Sequence, residues 1–107
     1  MKATIDVEDL RAAAGDATAM LRTLGNEDRL LLLCELAREE LNVGELAERT
    51  GIVQPTLSQQ LAVLRAQELV AARRDGKQVY YKVADRRALE LLKTLHRLFC
   101  EGKNRAG

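Results

Sequence analysis

A chain of 107 residues with 47% hydrophobic but only 3% aromatic side chains has material for one small aliphatic core, and self-association is a natural way to extend it. No stretch has the length of a bilayer span or the apolar run of a secretory leader, one proline leaves little for long loops, and two cysteines do not make a disulfide framework. The net charge of +1 hides an uneven distribution: residues 1–53 carry 6 basic against 11 acidic side chains, residues 54–82 carry 5 against 2, and residues 83–107 carry 6 against 3. These features predict a single cytoplasmic domain over 1–107 with no membrane partner. Its positive potential begins near residue 54, and phosphate binding needs such a local field rather than a high overall charge.

The first helix is expected over 1–24. Val7, Leu10, Ala14, Ala17, Leu21 and Leu24 recur at spacings of three and four, which is an a/d seam. Such a seam packs on a second copy of the chain or on the domain's own core; the short length favours the second copy. Gly25 ends this helix and Asn26 can cap the next, Glu27 to Arg38, whose apolar stripe reads Leu30, Leu33, Cys34 and Ala37.

Residues 43–67 then read as two helices about a tight turn. The first runs from Val43 to Thr50 with Val43, Leu46 and Ala47 inward, and Gly51 suits the positive φ of the turn. Pro55 can take the first position of the second helix, where its missing N–H costs nothing. Leu57, Leu61 and Leu64 form the inward face of that helix, and the outer face carries Thr56, Gln59 and Val63, with Gln54 at its start and Ser58 on the flank. Glutamine, serine and threonine at the start of a helix suit base edges in the major groove. Residues 69–83 read as a hairpin, Leu69–Arg74 and Lys77–Val83 about Asp75-Gly76, with Val79, Tyr81 and Val83 inward and Gln78, Tyr80 and Lys82 outward. The candidate DNA contacts are Gln54, Thr56, Ser58, Gln59, Gln60 and Arg65 on the helix, and Arg73, Arg74 and Lys77 around the hairpin tip. A last helix over 85–101 has a broad apolar face of Ala88, Leu91, Leu92, Leu95, Leu98 and Phe99, which can join the first helix in a dimer interface.

The segments LGNEDRLLLL (Leu24–Leu33), VGELAERTGIVQPTLSQQLAVLR (Val43–Arg65) and RRDGKQVYYKV (Arg73–Val83) resemble the ArsR/SmtB family of winged helix-turn-helix repressors. The resemblance covers residues 7 to 100. It implies a mainly α fold with a small β-hairpin wing, in the order α-α-α-α-β-β-α, that works as a homodimer on an imperfectly palindromic double-stranded operator and leaves it when an inducer binds.

Metal is a common inducer in that family, but the ligand positions are altered here. The run that carries a Cys-Val-Cys in one family site is Glu40-Leu41-Asn42-Val43-Gly44 here. On the last helix Asp85 is followed two residues later by Arg87, and His96 is the single histidine. No metal or other cofactor is expected, and a metal-responsive repressor is kept as the alternative. The remaining candidates are Cys34, in LLLLC, and Cys100, in RLFC. This pair resembles the BigR/SqrR/HlyU subgroup, which implies that the two thiols face each other and that a disulfide or polysulfide link between them, made by reactive sulfur species or an oxidant, weakens operator binding. Read without the resemblance, Cys34 on an apolar stripe is equally a small buried hydrophobe. Neither cysteine has the Cys-x-x-Cys setting of a thiol-redox enzyme, and no enzymatic activity is expected. A winged-helix module that binds protein instead of DNA is a further alternative, distinguished by insensitivity to changes at Gln59 and Arg74.

Overall fold

Among the described residues, four of the five helices begin on a residue whose side chain accepts hydrogen bonds from the first turn: Asp6, Asn26, Asn42 and Asp85. These caps satisfy the backbone N–H groups that a helix start leaves without partners. Gly25 closes the first helix, and Gly51 closes the third in the left-handed conformation at φ 75°. The computed structural model describes residues 4–100. Within them lie α1 (Val7–Leu24), α2 (Glu27–Arg38), β1 (Leu41–Asn42), α3 (Val43–Thr50), α4 (Thr56–Ala66), β2 (Val70–Asp75), β3 (Gln78–Val83) and α5 (Arg86–Phe99).

The core is almost wholly leucine. Leu32, Leu33 and Leu36 of α2 meet Leu41, Leu46 of α3, Leu57, Leu61 and Leu64 of α4, Leu69 and Val70, and Ala88 and Leu92 of α5. Helix α2 is central, touching α1, α3, α4, α5 and β3. This is the expected winged helix-turn-helix: mainly α, with α3 and α4 around Gly51 and a hairpin behind them. Alanine at Gly51 would meet no atom within 4 Å, so its cost is backbone strain alone. A thermal melt of Gly51→Ala should show a loss of about 1–2 kcal/mol.

Several elements differ from the sequence expectation. The sheet has three strands in the order β1-β3-β2, because Leu41 pairs with Tyr81 and Asn42 with Tyr80. Two residues are too few to show an alternating pattern, and Asn42 also caps α3, so β1 exists only through its partner strand. The hairpin turn falls one residue later than expected: Asp75 pairs with Gln78, leaving Gly76, at φ 64°, and Lys77 as the loop. Pro55 caps α4 from outside it; the helix proper begins at Thr56. Of the wing residues expected inward, all three are half-buried, and Tyr81 and Val83 pack on the core while Val79 lies nearer the tip.

The apolar stripes are also redistributed. In α2 the buried set is Leu32, Leu33 and Leu36, with Cys34 and Ala37 exposed; burial against α1, α3, α4, α5 and β3 rotates the stripe away from the thiol. In α1 only the last turn, Met20, Thr23 and Leu24, is buried. Val7, Leu10 and Leu21 of the seam stay 60, 53 and 57% exposed, so the chain's own core does not take up most of that seam. Helix α5 runs to Phe99, and position 101 lies outside the described residues, as do 1–3. It buries Ala88 and Leu92 but leaves Leu98 and Phe99 62 and 68% exposed.

Candidate nucleic-acid interface and thiol pair

The local sequence explains how α4 is presented. Leu57, Leu61 and Leu64 occupy one side of the helix and are buried, and Val63 and Gln59 lie exposed on the other. Ser58 is exposed and Thr56 half-buried at the N-terminal turn, with Arg65 exposed in the last turn. Two glutamines expected on this surface are engaged. The Gln54 side-chain oxygen accepts from the Ser58 N–H at 3.0 Å, capping the helix in place of Pro55, so its amide is oriented by the helix start. Gln60 is turned toward α2, where its oxygen accepts from Arg29 Nη1 at 3.0 Å.

Arg29 was not singled out in the sequence. It is half-buried in the first turn of α2 and donates through Nε to the Thr23 carbonyl at 2.7 Å and through Nη2 to the Arg22 carbonyl at 3.3 Å. One guanidinium therefore joins the end of α1 and the start of α2 to the recognition helix. Its partner Gln60 is 31 residues away, a separation at which no periodic signal exists.

The wing cations are not equivalent. Arg73 is bound by Glu40, with Nε 2.8 Å from Oε1, and its guanidinium lies 4.8 Å over the Tyr80 ring. Arg74 and Lys77 are exposed and make no ion pair among the described residues. On α5, Asp85 accepts from the Arg87 and Ala88 N–H groups and pairs with the Arg87 side chain at 2.9 Å. Those bonds hold its carboxyl below the usual carboxylate range, the Arg87 hydrogen bond contributing most. They commit that carboxylate to starting the helix.

Cys34 and Cys100 are both unlinked, the first exposed on α2 and the second half-buried just past α5. Partial desolvation raises the Cys34 thiol above its ordinary pKa, and the charges of Cys100 and Glu35 raise it further. One carboxylate oxygen of Glu35 is buried without a hydrogen bond, 3.6 Å from Arg49. Beside Cys34 a groove of about 310 Å³ runs between α2 and α5, lined by Ala37, Arg38, Leu89, Leu92, Lys93 and His96. No helix of the described residues is long and apolar enough to cross a membrane.

A helix-turn-helix with a basic hairpin and an exposed polar face on its second helix defines a transcriptional regulator rather than an enzyme. The profile of bacterial regulatory proteins of the arsR family matches residues 26–72. The biofilm growth-associated repressor of Xylella fastidiosa is 41% identical over 99 residues, covering 92% of this chain and 87% of that protein. The transcriptional activator HlyU of Vibrio cholerae is 35% identical, covering 92% of each. The crystal structure of the repressor BigR from Xylella fastidiosa superposes with a TM-score of 0.87 at 42% identity, covering 90% of this chain and 98% of that one. Reduced HlyU from Vibrio cholerae gives 0.82 at 36%, covering 88 and 99%. The chain belongs to the arsR family of bacterial regulatory proteins, within the group that includes BigR and HlyU.

Proposed function

We propose that the chain is a cytoplasmic, homodimeric repressor that releases its operator when reactive sulfur species or an oxidant link Cys34 to Cys100. The observation that carries this reading is the placement of the two thiols. They sit on α2 and just past the end of α5, two helices that pack on each other, and α2 is tied to the recognition helix through Arg29 and Gln60. One structural relative, HlyU from Vibrio cholerae, is described as reduced.

The chemistry balances with a persulfide as oxidant. A cysteine thiolate attacks the outer sulfur of the persulfide and expels the carrier thiol, leaving a cysteine persulfide. The second thiolate then attacks its inner sulfur and expels hydrosulfide, which closes a disulfide. Further sulfur transfer before closure gives a longer bridge, which relaxes the Cα separation of about 4.4–6.8 Å that a disulfide demands. Linking the helices biases α2 against α5, and a tilt there mis-spaces two recognition helices on a palindrome by population shift. Mass spectrometry and gel shift on the same treated samples test this. A linked monomer mass that tracks loss of binding supports it, and full binding by a fully linked protein overturns it.

In the DNA complex, Gln59, Ser58 and Thr56 read bases, while Arg65, Arg74 and Lys77 hold phosphates. Gln59→Ala is expected to cost about 1–3 kcal/mol on the operator and little on unrelated DNA. Arg74→Ala should weaken both and flatten the salt dependence by about one counterion. Equal loss on all sequences from Gln59→Ala would remove it from base reading. Relatives named as repressor and as activator share this fold, so the sign of regulation follows from what the bound protein blocks.

A further inference from the structure

We propose that Glu40 is a built-in counter-charge that limits the wing's hold on DNA phosphates, setting how strongly the protein binds DNA of any sequence. The inference rests on the reading of the chain as a DNA-binding protein and adds a residue that opposes that binding.

The sheet register builds the arrangement. Leu41 pairs with Tyr81 and Asn42 with Tyr80, while Arg73 pairs with Tyr80 and Asp75 with Gln78. Side chains alternate across a sheet, so Arg73, Asp75, Tyr80 and Lys82 share the outer face of the wing, and Glu40 enters at its edge just before β1. Arg74 alternates to the opposite face. Glu40 Oε1 takes both Nε, at 2.8 Å, and Nη2, at 2.6 Å, of Arg73, while Asp75 Oδ2 stands 3.8 Å from Nη1. The guanidinium also lies over the Tyr80 ring, 4.8 Å from its centroid. Arg73 and Lys82 on this face are thus matched by Glu40 and Asp75, and the face has no net charge to offer a phosphate.

Arginine's planar fork suits a phosphate as well as a carboxylate. The Glu40 carboxyl is itself held below its ordinary range, chiefly by the Arg73 hydrogen bond and in smaller part by Lys82, so it stays ionised near neutral pH. A phosphate reaching Arg73 must displace that carboxylate or tolerate its repulsion. This penalty falls on the backbone term of binding, which is independent of sequence. Glu40 therefore weakens non-specific binding, which base contacts do not compensate, and leaves the choice of operator to α4.

The test compares Glu40→Gln with the native full-length chain, using a short mixed-sequence duplex and an operator selected from a random library, between about 50 and 200 mM salt. Glutamine keeps the shape and the hydrogen-bonding oxygen while removing the charge. Glu40→Gln is expected to bind the mixed duplex about three- to tenfold more tightly, with a salt slope steeper by about 0.9, one more phosphate contact. The double variant Glu40→Gln/Arg73→Ala should lose both gains. Weaker or unchanged binding by Glu40→Gln with an unchanged slope would overturn the inference, showing that the pair merely braces the wing. A gain that survives in the double variant would also overturn it, because the effect would not pass through Arg73. Failure of the native chain to bind either duplex would instead remove the DNA-binding reading, and the inference with it. Tighter binding cannot arise from misfolding.

Discussion

Serine at Cys34 or at Cys100 is expected to leave the protein on its operator after a persulfide or peroxide treatment that releases the native chain. The native response should be at least about tenfold in apparent affinity, corresponding to roughly 1.4 kcal/mol of bias between the two arrangements. Each single variant should reduce it to within about twofold. The resting proteins should bind alike, because Cys34 is exposed and serine differs from cysteine by one atom. The thiolate is the reactive form, and the raised Cys34 pKa keeps it scarce at neutral pH. Alkylation of Cys34 in the Cys100→Ser variant should therefore accelerate about tenfold per pH unit between about pH 7 and 8. Removing the Cys100 charge should also bring the Cys34 pKa down toward its ordinary value. Release of DNA by both single variants, at the native oxidant concentration, would end the thiol-switch proposal.

Glutamate at Leu21 and Leu98 together is expected to give a folded monomer with operator affinity lower by about a hundredfold or more. Both side chains are large, apolar and more than half exposed in the single chain, one on α1 and one on α5. Between α1 and α5 lies a mostly apolar groove of about 500 Å³ that includes Leu21 and Leu91. Burying a leucine contributes about 1.5–3 kcal/mol, and a symmetric interface counts each position twice. Charges introduced there oppose association strongly while leaving the buried core of α2, α3 and α4 intact. Sedimentation should report a monomer and the far-ultraviolet helical signal should persist. A variant that stays dimeric would move the interface elsewhere.

The legible parts of this fold are those with a local physical signal. The leucine spacing of α4, the glycine at the turn after α3, and Asn26 before α2 are each read within a few residues, and each appears in the structure at its expected place. Helix α2 shows where locality ends. Four consecutive leucines and a cysteine allow more than one stripe, and contacts with several elements select Leu32, Leu33 and Leu36, leaving Cys34 outside. The same applies to the wing. Its strand pattern and its glycine are visible, but the one-residue shift of the turn and the addition of β1 follow from pairing.

For the candidate site, the sequence named the residue types suited to DNA and the structure sorted them. Gln59, Ser58, Arg65, Arg74 and Lys77 remain exposed, whereas Gln54 caps its own helix, Gln60 holds Arg29 and Arg73 holds Glu40. The last two pairings join residues 31 and 33 positions apart. Charge counting over residues 54–82 therefore overstated the positive potential of the wing, because the acidic partner of Arg73 comes from the segment before α3.

By itself, then, the sequence determined the helix-turn-helix, the hairpin and their family, since short-range periodicity, capping and turn chemistry are written in neighbouring residues. Only the tertiary structure decided that Cys34 is exposed and sensitive to the charge of Cys100, that Arg29 joins α1 and α2 to the recognition helix, and that Glu40 neutralises one wing arginine. Those facts depend on which distant side chains meet when the leucine core closes, and no local pattern encodes such a meeting.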